Sequence, residues 1–299
     1  GYDLTFATAL VAVSGSLGII IPPSIPYIMY CNASGASISE LFLAGFLPGV
    51  LIALCLMVYS YIYCKIHGED KDKLNAKCME LRAKGLGTVL KEGFWALMSP
   101  VIILGGIYGG ICSPTEAATI SIFYSLIVSL FIYRTIKIRD LPKIMLEGIH
   151  SYAPILIILS AAVAFARVIT LMNVATIVSE AVLSAISSKV VILLLINVLL
   201  LFVGMIMDTG PAILVFTPVL LPVAEAIGVD PIHFGIIMCV NLAIGFVTPP
   251  MGANLFVASN LSKVSVFDIA RKAVPFILAF LIALLLITFV PQISMFLLQ

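Results

Sequence analysis

The stretch Gly245-Phe246-Val247-Thr248-Pro249-Pro250-Met251-Gly252 decides the fold. It lies inside apolar sequence long enough to cross a bilayer. Two adjacent prolines there lack amide donors and clash with a continuing helix. A helix broken at membrane depth leaves backbone groups that lipid cannot satisfy. Such a break survives only where protein or a water-filled cavity surrounds it. The break therefore marks a site. Leu17-Gly18-Ile19-Ile20-Ile21-Pro22-Pro23-Ser24 repeats the punctuation near the start of the chain.

Of the 299 residues, 62% are apolar and 10% charged, and the mean hydropathy is +1.21. Soluble domains carry about 25% charge, so the composition is that of a polytopic membrane protein. A net charge of +1 offers no basic face for nucleic acid. The six cysteines are scattered without a CxxC pair, and His67, His150 and His233 are too far apart to suggest a metal centre.

Spans of about 20 apolar residues are expected at 4–30, interrupted by the first Pro-Pro, and at 40–64, ending in Tyr59, Tyr61 and Tyr63 as an interfacial belt. Residues 65–95 form a basic connector with an amphipathic helix near 87–97, where Trp95 can anchor. Further spans follow at 97–112, 115–133, 152–172 and 189–207, with polar sequence at 134–147 and an amphipathic piece at 174–187. Gly210, Pro211, Pro218 and Pro222 break up 208–227, which reads as an arm of a re-entrant hairpin over 204–227. The second broken helix occupies 231–261, and 274–298 closes the chain.

An offset of 227 positions carries Pro22-Pro23 onto Pro249-Pro250, Gly18 onto Gly245, Asp3 onto Asp230 and Pro48 onto Pro275 without a gap. The matches are mostly residues that set backbone geometry. Residues 31–42 hold no Lys or Arg, whereas 258–272 hold Lys263, Arg271 and Lys272. By the positive-inside rule the two copies face opposite sides, the inverted-topology repeat frequent in secondary transporters. The units are then 1–64, the later part of a first repeat; 65–95, a cytoplasmic connector; and 96–299, the second repeat. Symmetry places the start of the first repeat about 130 residues ahead of Gly1.

Asp3 and Asp230 are expected to cap helices, the latter with Pro231 in the first turn. Ser113-Pro114-Thr115-Glu116 is a capping box, with ion binding as the alternative role for Glu116. Asp208-Thr209-Gly210-Pro211 follows a span with no other acid. An intramembrane carboxylate points to function, here ion binding, and an N-cap role is compatible with it. Tyr2-Asp3 with Gly204–Asp208 superficially resembles intramembrane aspartyl proteases, but the second motif lacks the GxGD form. Ser14, Ser16, Ser24, Asn241 and Thr248 place oxygens beside the breaks. Hard cations take such ligands, and broken helices add carbonyls at half-helix ends and anion sites at half-helix starts. Each hydroxyl can instead bond back to its own helix. Arg167 lies inside an apolar run and faces the bundle, a cavity or a partner, or snorkels.

Ser16-Leu-Gly-Ile-Ile-Ile-Pro-Pro-Ser-Ile-Pro26, Gly109-Gly-Ile-Cys-Ser-Pro-Thr-Glu-Ala-Ala118, Asp208-Thr-Gly-Pro-Ala212, Asp230-Pro-Ile-His-Phe-Gly-Ile-Ile-Met238 and Asn241-Leu-Ala-Ile-Gly-Phe-Val-Thr-Pro-Pro250 together resemble the large membrane subunit of tripartite ATP-independent periplasmic (TRAP) transporters. Ser113 stands where the family pattern has Thr. The resemblance implies an all-α, elevator-type secondary transporter of the bacterial inner membrane. It implies uptake driven by Na+, a small membrane subunit that is sometimes fused, and a soluble periplasmic substrate-binding protein. The implied substrate is an organic acid of the sialic acid or C4-dicarboxylate class. The segments carried over are Ser14–Ser24, Asp208–Pro211 and Asn241–Gly252. The expected substrate residues are Ser14, Gly15, Ser16, Ser24, Asn241, Pro249, Pro250 and Arg167. The expected sodium residues are Asp208, Thr209, Gly210, Thr248, Gly245 and Gly18. No covalent chemistry is expected. The alternatives are a carboxylate transporter without a binding protein, and a channel.

Overall fold

Asp3 accepts hydrogen bonds from the amides of Thr5 and Phe6 and so starts helix α1, Leu4–Gly15. The helix tightens into a 3-10 turn over Ser16–Ile19, and the chain then breaks at the cis Pro22-Pro23 bond. Ser24 caps α2, Ile25–Ser34, by accepting from the Tyr27 amide, and Gly35 ends it with φ 77°. Helix α3 runs over Ile38–His67 with Pro48 inside it. The same grammar recurs 227 residues on. Asp230 caps α10, Pro231–Gly245. The break holds a cis Pro249-Pro250 bond. Then come α11, Ala253–Ser262, and α12, Val266–Phe289, with Pro275 inside it.

Between the two copies lie α4 (Leu86–Tyr108), α5 (Pro114–Ile127, continued as a π turn over Val128–Ile132), α6 (Leu141–Leu171), α7 (Val174–Ala185), α8 (Lys189–Ile206) and α9 (Thr209–Ala226). A short α13, Gln292–Met295, follows α12. This computed structural model describes residues 2–68, 75, 78–79 and 85–298. Among them seven helices are long and apolar enough to cross a membrane. The protein is therefore an all-α, polytopic membrane protein. Part of the basic connector, including Lys71, Lys73, Lys77, Arg82 and Lys84, lies outside the described residues.

Packing divides the chain into residues 69–158 and a larger unit of 2–68 with 159–299, borders that differ from those of the repeat. In the smaller unit, tyrosine hydroxyls tie α5 and its π turn to α4. Tyr124 Oη donates to the Trp95 carbonyl at 2.7 Å, and Tyr133 Oη to that of Glu92 at 2.6 Å. In the larger unit the two copies touch through two polar contacts. Tyr30 Oη, midway along α2, donates to the Pro231 carbonyl at the start of α10, at 2.6 Å. Lys272 Nζ, early in α12, lies 3.8 Å from Asp3 Oδ2 at the start of α1. The first turn of each copy is thus met by a side chain from within the other.

Four expectations from the sequence change. Residues 209–226 form one continuous helix, with Pro218 and Pro222 inside it. Ten of its residues are buried, and that burial outweighs the bonds and strain the prolines cost. The amphipathic piece at 87–97 is the first half of α4 rather than a separate helix. Helix α6 begins at Leu141, through sequence polar enough to resemble a linker. Tyr59 and Tyr63 pack inward: Tyr63 stacks on Phe6 at 3.8 Å, and Tyr59 meets Phe276 edge-on at 4.5 Å.

Candidate functional site

Three segments converge within the larger unit. The second break is tied to the end of α8, where the Met251 amide donates to the Met205 carbonyl at 3.2 Å. One turn earlier, Gly245 crosses Gly204 of α8 so closely that a Cβ on Gly245 would overlap the Gly204 backbone. Asp208 follows at the α8–α9 junction and caps α9, accepting from the Thr209 amide at 2.8 Å. Thr209 is buried, and a Cβ on Gly210 would sit 3.1 Å from Met29 Sδ of α2. The junction is thus held against the second break on one side and against α2, which follows the first break, on the other.

The two breaks themselves meet through Asn254. Its Nδ2 donates to the Ala12 carbonyl at 3.1 Å and to Ser16 Oγ at 3.3 Å. Ser14 bonds back to Val11 O at 3.1 Å, and Thr248 to Ile244 O at 2.8 Å. Ser24 Oγ donates to Ile19 O at 2.5 Å, bracing the first break. Gly15 and Gly18 are exposed, as are Pro249 and Pro250. Among the described residues, no donor reaches the carbonyls of Gly18, Ile20 and Ile21 in the first break, or of Val247, Pro249 and Pro250 in the second. Unpaired backbone oxygens of this kind are the ligands a hard monovalent cation uses.

Asn241 lies elsewhere, in a buried polar chain along α10. Its Nδ2 donates to Asn197 Oδ1 at 2.7 Å and to Ile237 O at 2.8 Å. Asn197 Nδ2 donates to Thr288 Oγ1 at 3.1 Å, and His233 Nε2 lies 3.4 Å from Thr288 O. A cavity of about 140 Å3, lined in part by Lys189, Asp230, His233 and Thr288, opens at the head of this chain. Arg167 is exposed near the end of α6, and no hydrogen bond or ion pair reaches it among the described residues. Glu116, in the smaller unit, is committed to its capping box, with Oε2 taking the Ser113 amide at 2.7 Å.

Sequence reasoning missed Asn254. The signal was present: a polar amide two residues after Gly252, at the start of the half-helix beyond the break. It also missed Gly204, whose role shows only across the crossing with Gly245.

A family profile described as "Tripartite ATP-independent periplasmic transporter, DctM component" matches residues 1–293. The chain belongs to the DctM family. It is 44% identical over 299 residues to the isethionate TRAP transporter permease protein DctMQ of Oleidesulfovibrio alaskensis, covering 99% of this chain and 46% of that protein. It is 38% identical to the C4-dicarboxylate TRAP transporter large permease protein DctM of Pseudomonas aeruginosa, covering 99% of this chain and 68% of that one. It is 35% identical to the sialic acid TRAP transporter large permease protein SiaM of Vibrio cholerae, with coverage of 99% and 68%. The chain thus spans under half of the DctMQ relative and about two thirds of the other two. These DctM relatives are permeases rather than enzymes.

Proposed function

We propose that this DctM chain is the membrane permease of a Na+-coupled tripartite system that imports an organic anion across the bacterial inner membrane. The observation that carries the reading is the meeting of two broken helices whose turns keep unpaired carbonyls. Neutral oxygens at half-helix ends suit a sodium ion, and the starts of α2 and α11 suit an anionic headgroup. The sodium set is Gly18, Asp208, Thr209, Gly210, Gly245 and Thr248. The substrate set is Ser14, Gly15, Ser16, Ser24, Pro249, Pro250 and Arg167; Asn241, drawn into a buried network along α10, stands outside it.

The relatives' printed substrates are isethionate, a C4-dicarboxylate and sialic acid. All are small anions, which supports an acid as the cargo. A periplasmic binding protein delivers it, and a small membrane subunit, separate or fused, completes the transporter. The bound ion completes the oxygen cage and neutralises local charge, so the substrate binds better when Na+ is present. The loaded segments then move together across the membrane as an elevator.

The test is uptake by the full-length transporter in proteoliposomes, with its binding protein and with Na+ exchanged for K+. Asp208→Asn and Thr248→Ala are expected to raise the Na+ needed for half-maximal uptake about tenfold, the worth of one charge-assisted bond, at unchanged protein level. Unchanged sodium dependence in both removes them from the mechanism. Full uptake without the binding protein favours a carboxylate transporter that needs none.

A further inference from the structure

Asn254 belongs to both breaks at once. Its backbone amide donates to the Phe246 carbonyl at 3.0 Å, the first residue of the second break. Its side chain donates to Ala12 O and Ser16 Oγ, 242 and 238 residues away in sequence, where the first break begins. As α1 tightens, the Ser16 amide turns to Val13 and Ser14. The Ala12 carbonyl then lacks its usual helical donor, and Asn254 fills that place. Among the described residues, no other hydrogen bond joins 12–24 to 241–254.

The contact has little slack. A Cβ on Gly15 would come within 3.2 Å of Asn254 Nδ2, so a small residue opposite the amide keeps the approach open. Gly252, at φ 22°, turns the chain into α11 two residues before Asn254. The residue at the equivalent offset, Tyr27, is fully buried and packs against Gly45 of α3.

We propose that Asn254 is a positioning residue that transmits the state of the second break to the first, so that ion binding at one orders the other. A rigid element with bonds to both places supplies the physical connection such coupling needs. The inference rests on the sodium reading above.

The experiment uses the full-length transporter in nanodiscs, with Na+ exchanged for K+ at constant ionic strength. The reporter is Ile25→Cys, directly after the first break at a position 55% exposed, and its maleimide labelling rate is followed against Na+. Sodium is expected to slow labelling, and Thr248→Ala at the second break is expected to raise the required Na+ about tenfold. With Asn254→Ala also present, the added effect of Thr248→Ala is expected to fall below about twofold, the signature of a shared path in a double-mutant cycle. Ser16→Ala, which removes one of two acceptors, and Gly15→Ala, which crowds the amide, are each expected to shrink the Thr248→Ala shift to about threefold. These two variants keep the test decisive if Asn254→Ala does not fold.

A full tenfold Thr248→Ala shift in the Asn254→Ala background overturns the proposal. So does a full shift in both Ser16→Ala and Gly15→Ala, or the lack of any Thr248→Ala shift when Asn254 is intact. If Na+ protects no better than K+ in the parent reporter protein, the sodium reading fails and the coupling falls with it.

Discussion

Helix α10 is buried along its whole length from Ile232 to Gly245, whereas its repeat partner α1 leaves Leu4 60% and Val11 66% exposed. The two helices share an Asp cap, a similar length and a cis Pro-Pro break beyond the last turn. Their surroundings differ: α8, α9, α12, α3 and α2 all pack on α10, while α1 rests mainly on α12 and α11. The polar content differs too. His233, Asn241 and Thr248 stand where the first copy has Phe6, Ser14 and Ile21. Repetition conserves the residues that bend the backbone, because either copy fails without the bend. Side chains answer to local neighbours, and these are not repeated.

The sharpest way to break this comparison is a pair of glycine substitutions. Gly245→Ala drives a Cβ into the Gly204 backbone, while Gly18→Ala places it in open space. Overpacking against backbone costs about 1–3 kcal/mol or more. Gly245→Ala is therefore expected to lower the thermal midpoint strongly or abolish folded protein in detergent, and Gly18→Ala to change it little. Equal losses in the two would mean that the copies pack alike.

A smaller contrast is expected inside the two helices. Asn241→Ala leaves the buried Asn197 Oδ1 without its donor, a loss of about 1–3 kcal/mol. Ser14→Ala removes only a bond back to its own helix and should stay within about 0.5 kcal/mol. In thermal melts, Asn197→Ala combined with Asn241→Ala should cost less than the two single losses together, because they belong to one network.

The caps provide a control in which the copies should agree. Asp3→Ala and Asp230→Ala each remove a carboxylate from two amides, and each should cost about 1 kcal/mol. A markedly larger loss at Asp230 would show that burial of α10 amplifies the cap. The least effect belongs to Lys272→Gln, which loses an exposed 3.8 Å pairing with Asp3 and a partly exposed 3.0 Å bond to Tyr63 Oη. Exposed ion pairs contribute about 0–1 kcal/mol, so its melting point should move little, and less still in high salt.

Much of this was legible in the chain itself. Apolar run length specified helices that cross a bilayer, because lipid leaves a backbone few other options. The offset of 227 and the Asp, Gly and Pro residues it matches specified two copies broken at corresponding places. Lys and Arg bias indicated opposite senses, and in the structure a side chain from within each copy meets the other's first turn. The caps at Asp3, Ser113, Asp208 and Asp230 followed from local chemistry alone. Tertiary packing decided the rest. It kept α9 continuous through Pro218 and Pro222, drew Asn241 into a core network, and tied Asp208's junction to the second break through Met205 and Met251. It also brought Asn254 across to Ala12 and Ser16. Local rules act over a few residues, whereas these contacts join positions up to 242 apart. Only the folded chain determines which distant groups become neighbours.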